Sequence, residues 1–264
     1  MRFPHPSIYL LFLFLELSVH MYAQNEIPGV IPSFNNSVII NSDRAANPLS
    51  SISRISTTKN RIGIEYSNPY LLKDLHSGSI FGSYQFKWIC LGTRFSIMGN
   101  DYLQTYNQEL TLAKLLAKKI SIGVGFSHTF INQPNEYPDM HFYSPSMGLS
   151  FAPSDKFRLS SCLKNIAISN QHVQQEFIIA FSYIIKSLSL HCQLEKYWDE
   201  KTFVDFAGEY KFKKIATVFI KTSTGKTPFC VGAEFVIAKT NISIDFSYHK
   251  YLGTTPGTDF YKEW

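Results

Sequence analysis

The side chains able to do chemistry in this chain are ionisable groups that alternate with apolar residues. Asp205 lies between Val204 and Phe206, and residues 244–246 repeat the pattern as Ile-Asp-Phe. Period-two alternation places such groups on one face of a β-strand, opposite the apolar face. The predicted members of this polar face, which becomes the lumen if the strands close into a barrel, are Arg61, Arg94, Arg158, His191, Glu195, Asp205, Glu209, Glu234, Asp245 and His249.

The order of these charges along the chain allows two kinds of lumen. The arginines come first and the carboxylates follow, so a closed barrel would set the two groups against each other. They would then either produce a transverse field that selects hydrated solutes, or belong to a closed lumen in which opposite charges pair or hold an N-terminal plug. The second interpretation is favoured, because a small barrel needs internal polar networks to fill it. His191 and His249 are predicted to be hydrated or hydrogen-bonded lumen residues.

The sequence contains no recognisable catalytic or metal-binding arrangement. There is no G-x-S-x-G motif, no H-E-x-x-H motif and no phosphate-binding glycine loop, and the eight histidines are dispersed. We therefore predict that the protein is not an enzyme, has no cofactor, and has no catalytic or metal-binding residues.

The four cysteines are spread along the chain without a C-x-x-C spacing. Alternation predicts Cys90 and Cys192 on the outward apolar face, and Cys162 and Cys230 on the inward face. Each is interpreted as a small hydrophobic strand residue. A Cys162–Cys230 disulfide is the alternative in an exported protein.

Strands are the elements that must position these side chains. In residues 120–127, Ile, Val and Phe alternate with Ser and Gly, and residues 188–195, 204–212 and 242–249 alternate in the same way. A soluble sandwich would also alternate, but Gly, Ser and isolated charges on the polar faces and the regular hairpin repeat favour a barrel. The predicted strands are 60–68, 76–86, 88–98, 102–116, 119–131, 140–152, 156–168, 174–185, 187–198, 201–212, 214–223, 227–238, 240–250 and 256–264.

Short lysine-bearing turns separate the predicted strands in pairs. The turn lysines are Lys87, Lys118, Lys156, Lys186, Lys213 and Lys239, which recur every 26 to 38 residues. This spacing holds two strands of about ten residues and a longer loop, the repeating unit of outer-membrane barrels. The fold class is therefore all-β, a transmembrane antiparallel up-and-down β-barrel of about 14 strands with a short N-terminal lumen segment.

Composition excludes two other classes. The chain of 264 residues is 45% hydrophobic, yet beyond the N-terminus it has no apolar run of about twenty residues that would form a membrane helix. The net charge of +5 comes from scattered lysines, many of them in turns, so we expect no nucleic acid as partner.

The N-terminus predicts export. Arg2 precedes an apolar stretch at residues 8–17, and residues 21–23 supply a cleavage site. We interpret 1–23 as a signal peptide; a membrane anchor is the alternative, although the stretch is short for one. Residues 24–59 then form an N-terminal periplasmic or lumen segment, and 60–264 form the barrel.

The C-terminus predicts assembly into the bacterial outer membrane. The chain ends with Phe260, Tyr261 and Trp264, a terminal aromatic strand that resembles the signal recognised by the barrel-assembly machinery. That machinery and outer-membrane lipid are therefore the expected partners.

Three segments resemble a known family. They are the stretch with Asp43, Asn47 and Pro48 ahead of the first strand, residues 106–113 leading into 120–125, and the closing residues 248–254. They look like FadL-related outer-membrane barrels of Bacteroidetes, of the PorV and PorQ type. The resemblance implies a fourteen-stranded barrel with an N-terminal segment that enters the lumen. In the PorV and PorQ branch it implies a part in type IX secretion and surface attachment, and in the FadL branch passage of hydrophobic compounds.

These observations leave three hypotheses for function. The first is a structural or interaction role in a type IX secretion-like export or surface-attachment assembly, with secretion-system or surface proteins as partners. The second is an outer-membrane transporter for small or hydrophobic molecules. The third is a soluble β-rich periplasmic protein.

Overall fold

The computed structural model describes residues 59–100, 103–117, 119–132, 139–166, 175–198, 201–213, 215–225 and 227–264. These residues form one closed antiparallel barrel of fourteen strands, which confirms the predicted fold class. The strands are β1 (Arg61–Ser67), β2 (His76–Gln85), β3 (Cys90–Gly99), β4 (Gln104–Ala117), β5 (Ile120–Asn132), β6 (Met140–Ser154), β7 (Phe157–Lys164), β8 (Glu176–Ile185), β9 (Leu188–Tyr197), β10 (Thr202–Phe212), β11 (Ala216–Ser223), β12 (Phe229–Ile237), β13 (Thr240–His249) and β14 (Gly253–Glu263).

The topology is that of an up-and-down barrel. Each strand pairs with the next along the chain, and β14 pairs with β1 to close the wall. Trp264 N donates to Asn60 O at 3.1 Å, so the two ends of the described chain meet at one end of the barrel. We call this the turn end, because the short turns lie there, and the opposite end the loop end.

The predicted turns with Lys87, Lys156, Lys186, Lys213 and Lys239 are present at the turn end, and Lys118 lies outside the described residues. Ile237 pairs with Thr240, leaving Ala238 and Lys239 as a two-residue turn in which both residues have positive φ, 49° and 69°. Positive φ at both central residues is the type I′ geometry, which matches the twist of the flanking strands. Lys186 and Lys213 also have positive φ, 53° and 54°, in their own turns.

Two boundaries differ by more than two residues from the prediction: β7 ends at Lys164 rather than at 168, and β14 begins at Gly253 rather than at 256. Pro256 and Gly257 have low strand propensity and were expected to lie at the strand start. In the structure they pair with Phe246 and Asp245 of β13, so the partner strand extends β14 through them. Gly253 has a φ of +94°, which lets the chain leave the loop and enter the strand.

Side chains alternate between two faces along the strands. On β5, Ser121, Gly123 and Gly125 are buried, whereas Ile122 and Val124 are 41% and 58% exposed. In a barrel the exposed apolar side chains form the outer wall, and the small and polar ones line the lumen. The outer wall is therefore apolar, as a lipid-facing surface requires.

One of the predicted cysteine positions is wrong. Cys90 is 2% exposed and lies on the inward face together with Gly92 and Arg94. It is the first residue of β3, and its even spacing from the inward Arg94 places it on the same face. Cys192 faces outward, and Cys162 and Cys230 face inward, as predicted. All four are free thiols, so the alternative Cys162–Cys230 disulfide is absent.

Across the part of the chain that the structure describes, no helix has the length and apolarity needed to cross a membrane.

Candidate functional site

The inner wall of the barrel collects the predicted charged residues on seven strands. Arg61, Arg94, His191, Asp205, Glu209 and Glu234 are buried, and Arg158, Glu195, Asp245 and His249 are half-buried. Their strand positions put them on the inward face, in register with buried serines and threonines such as Ser79, Thr111 and Ser243. The lumen is therefore the region where polar groups are concentrated.

Two of the predicted arginines pair with carboxylates on nearby strands, and the opposition of the two charge groups across the lumen stays a prediction. Arg94 Nη2 lies 2.6 Å from Glu65 Oε2, and Ser79 Oγ donates to the same oxygen at 2.9 Å. Arg61 Nη2 lies 3.0 Å from Glu263 Oε1 across the β1–β14 closure. The prediction omitted Glu65 and Glu263. Alternation places Glu65 on the same face of β1 as Arg61, and Glu263 on the same face of β14 as Tyr261.

Two lysines that the prediction omitted complete the inner network. Lys221 Nζ lies 2.6 Å from Asp205 Oδ2, and both side chains are almost fully buried. Lys164 Nζ lies 3.2 Å from Glu176 Oε2, and Tyr197 Oη donates to Glu176 Oε1 at 3.3 Å. The alternation of residues 217–223 would have found Lys221, because it follows Thr217 and Phe219 at spacings of two.

Ser182, His191 and Glu209 form a chain of polar contacts on β8, β9 and β10. Ser182 Oγ is 2.7 Å from His191 Nδ1, and His191 Nε2 is 3.7 Å from Glu209 Oε2. The types match those of a nucleophile, base and acid, but Ser182 is 1% exposed and its neighbours are regular strands. Strand amides are engaged in the ladder, so no pair of donors converges on an oxyanion. The trio therefore holds the wall together and is not arranged for acyl transfer.

Inward aromatic rings lie close to glycines of neighbouring strands. A Cβ on Gly63 would lie 2.5 Å from Phe81 Cζ, and one on Gly232 would lie 2.2 Å from Phe219 Cζ. The missing side chains let the rings rest on the wall rather than project to the barrel axis. Tyr261 Oη donates to Glu234 Oε2 at 2.7 Å, so this ring is also held at the wall.

The inner wall is uneven around its circumference. From 121 to 127 on β5 and from 144 to 150 on β6, the inward residues are all Ser or Gly. The bulky and charged inward side chains stand instead on β7–β14 and β1–β4. One part of the wall is thus lined by small hydroxyl groups, and the other by aromatic and charged groups.

Carboxylates outnumber basic groups on the described inner wall. The inward acids are Glu65, Glu109, Glu176, Glu195, Asp205, Glu209, Glu234, Asp245, Asp259 and Glu263; the inward bases are Arg61, Arg94, Arg158, Lys164, Lys211 and Lys221. Carboxylates that line a pore repel anions and tolerate cations and neutral molecules. The chemistry of the lumen therefore disfavours anionic solutes.

The remaining predicted sites lie at the chain ends. Phe260 and Trp264 are on the outside of the barrel at the turn end, 42% and 58% exposed. The motif residues Asp43, Asn47 and Pro48 lie outside the described residues. The signal peptide and the predicted lumen segment 24–59 also lie outside them, except for Lys59 at the end of that segment. Within the described ranges, no group of three or more His, Cys, Asp and Glu side chains converges as a metal site would.

Comparison with known proteins identifies similar folds but no sequence family. No family model matches the chain, and no curated protein matches its sequence. Among solved structures, the CymD monoaromatic hydrocarbon channel matches with a TM-score of 0.64 at 8% identity, covering 84% of this chain and 94% of that one. The P. putida toluene transporter TodX matches with a TM-score of 0.60 at 7% identity, covering 82% and 94%. The Ralstonia pickettii toluene transporter TbuX matches with a TM-score of 0.60 at 9% identity, covering 83% and 92%.

At these identities the comparison shows a shared fold. It agrees with the FadL side of the resemblance in the fourteen-stranded barrel. These matches give no support to the PorV and PorQ type.

Proposed function

We propose that this chain is a bacterial outer-membrane channel that carries small uncharged molecules, hydrophobic ones included, through its lumen. The observation that carries this proposal is a closed barrel with an apolar outer wall and an inner wall of hydroxyls, paired charges and wall-bound aromatic rings. A closed barrel of fourteen strands is wider than one of about eight strands, whose interior is just filled by its own side chains.

The lining favours uncharged solutes. The basic groups Arg61, Arg94, Lys164 and Lys221 each pair with a carboxylate on the wall, and the remaining acids repel anions. Phe81 and Phe219 contribute apolar rings to the inner wall, and the inward residues of β5 and β6 from 121 to 127 and from 144 to 150 are small. The names of the structurally similar channels support hydrophobic molecules as one class of solute.

A liposome assay tests this function. The purified protein is reconstituted, and osmotic swelling is followed with arabinose, which is uncharged, and with gluconate, an anion of similar size. Because residues 41–53 are predicted to fill the lumen, we expect swelling with arabinose to exceed swelling with gluconate once these residues are deleted, and liposomes without protein to give neither. Absence of swelling with both solutes, also in a variant lacking residues 41–53, would contradict the channel.

Hydrophobic solutes need a separate assay, because they cross plain lipid bilayers unaided. Growth of an expressing strain on a monoaromatic carbon source, compared with a strain lacking the protein, measures their passage through an intact outer membrane. Slower growth without the protein is expected only if hydrophobic molecules are among its solutes.

The first hypothesis, a role in an export or surface-attachment assembly, stays a prediction. Its test is co-purification from native membranes, since a component of such an assembly would bring secretion proteins with it, and a simple channel would not. The signal peptide at 1–23 is likewise a proposal, tested by the N-terminal sequence of the mature protein.

A further inference from the structure

Two histidines on the outer wall place their imidazole rings side by side near the loop end. His128 of β5 and His141 of β6 have Nε2 and Nδ1 3.0 Å apart, and their rings are nearly parallel, with 3° between the planes. His141 is exposed and His128 is half-buried, so both are reachable from outside the barrel. They lie on the outward face with Phe126 and Tyr143, and take no part in the lumen network.

Aromatic neighbours hold the two imidazoles in place through their faces. Tyr143 stacks on His128 with 4.7 Å between centroids, and Phe130 stacks on His141 with 4.8 Å. The strand register fixes these contacts, because His128 pairs with Tyr143 and Phe130 pairs with His141. Stacking engages the ring faces and leaves the nitrogen edges directed toward each other.

We propose that His128 and His141 form a binding site for a divalent transition-metal ion such as Zn²⁺ or Cu²⁺. Imidazole nitrogens bind these ions at about 2.0–2.1 Å, so two ligands at adjacent positions of one ion lie roughly 3 Å apart. The observed 3.0 Å separation matches this distance. Metal binding replaces the hydrogen bond between these two nitrogens, and the imidazole that donates it shifts to its other tautomer so that both nitrogens present a lone pair to the ion. Each neutral imidazole then keeps its one proton on its other nitrogen.

The ligand chemistry restricts the ion. Imidazole suits zinc, copper and nickel, whereas magnesium and calcium prefer oxygen ligands. The two imidazoles are the only His, Cys, Asp or Glu ligands that the described chain brings together here, since no group of three converges. Water completes the coordination shell, so the ion exchanges readily and binds less tightly than in a closed structural zinc site. A bound ion would link β5 to β6 at the loop end.

Titration of the untagged protein in detergent tests the site. Isothermal calorimetry with ZnCl₂ should show one ion bound per chain, and electron paramagnetic resonance with Cu²⁺ should show coupling to two nitrogens. His141→Gln should abolish zinc binding and remove one nitrogen coupling. His76→Gln is the matched control, because His76 is also an outward histidine at the loop end but contacts Tyr66 Oη at 2.8 Å instead of a second imidazole. It should leave zinc binding unchanged.

Two outcomes would overturn the inference. One is the absence of zinc and copper binding by the wild-type protein. The other is undiminished binding by the double variant His128→Gln/His141→Gln, provided that its heat-dependent gel mobility shows a folded barrel. The site does not depend on the proposed transport function, so either result leaves that function untouched.

Discussion

Lys221 and Asp205 meet on the inner wall with 2.6 Å between Nζ and Oδ2, and both side chains are shielded from solvent. Removing two charges from water is costly, and their mutual attraction offsets the cost only while both partners are present. The intact pair therefore contributes little to the free energy of unfolding, whereas loss of one partner lowers that free energy strongly.

Lys221→Met should destabilise the barrel by about 3–5 kcal/mol, because Asp205 would lose its ion-pair partner at a buried position. The free energy of unfolding in urea, measured in detergent, checks this value. Lys262→Met is the control, since Lys262 is exposed on the outer face and should change stability little. The double variant Asp205→Asn/Lys221→Met should recover part of the loss. Equal effects of Lys221→Met and Lys262→Met would contradict the burial argument.

Gly63 and Phe81 show how two neighbouring strands depend on a missing side chain. An alanine Cβ at Gly63 would lie 2.5 Å from Phe81 Cζ and 2.6 Å from Phe260 O. The carbonyl belongs to the paired strand and cannot move without breaking the ladder. The close approach of the Phe81 ring and the Phe260 carbonyl therefore favours glycine at position 63.

Gly63→Ala should cost about 1–3 kcal/mol through overpacking. Gly78→Ala is a matched control in the adjacent strand, because its new Cβ would have its nearest neighbour at 3.9 Å, an ordinary contact. Thermal loss of the folded gel band measures both variants. Equal midpoints for the two would show that the wall relaxes around the alanine.

The faces of β13 give a second prediction for strands. Phe246 is 49% exposed on the outer wall, and its neighbour Asp245 points inward. An arginine facing lipid at mid-bilayer costs about 2–4 kcal/mol, whereas one in the lumen is solvated. Phe246→Arg should therefore sharply reduce the amount of assembled protein in membranes, and Asp245→Arg should leave it near normal. The reverse order would mean that β13 is inverted or that the protein is soluble.

Alternation was enough to predict the strands, because a strand with one apolar face and one polar face shows a period of two residues in its sequence. It also indicated that Asp205 and Glu209 share a face. It could not predict that Arg94 pairs with Glu65, since these residues belong to different strands and only the register brings them together. Nor could it reveal His128 and His141 as neighbours, because they lie on different strands and only the register of β5 and β6 makes them diagonal neighbours.

The whole molecule combines an apolar exterior with a polar interior, the reverse of a soluble domain. Nearly all large exposed side chains at mid-strand are apolar, among them Ile64, Val124 and Phe206. Such a surface is stable only in lipid, because in water it would be one large apolar patch. We therefore expect the protein in outer-membrane fractions, with a gel mobility that changes on heating.

Deletion of residues 41–53 tests the predicted lumen segment. We expect the intact protein to give little steady conductance in planar bilayers, and the deletion to raise it, with a reversal potential that shows preference for cations over anions because carboxylates dominate the inner wall. Removal of residues 24–36 is the control of equal length. Large open channels in the intact protein would contradict a plugged lumen, and anion preference would contradict the acidic lining.

The pairing of β1 with β14 has a consequence for how the molecule is made. These strands come from opposite ends of the described barrel, so the last hydrogen bonds to form join the residues farthest apart in sequence. The chain entropy of this closure grows only slowly with length, by about 0.6 kcal/mol per doubling, but contacts of such separation slow folding. Until closure, β1 and β14 are two unpaired edges, each able to add a strand from another chain. A chain in which this closure is delayed therefore exposes two edges that favour aggregation.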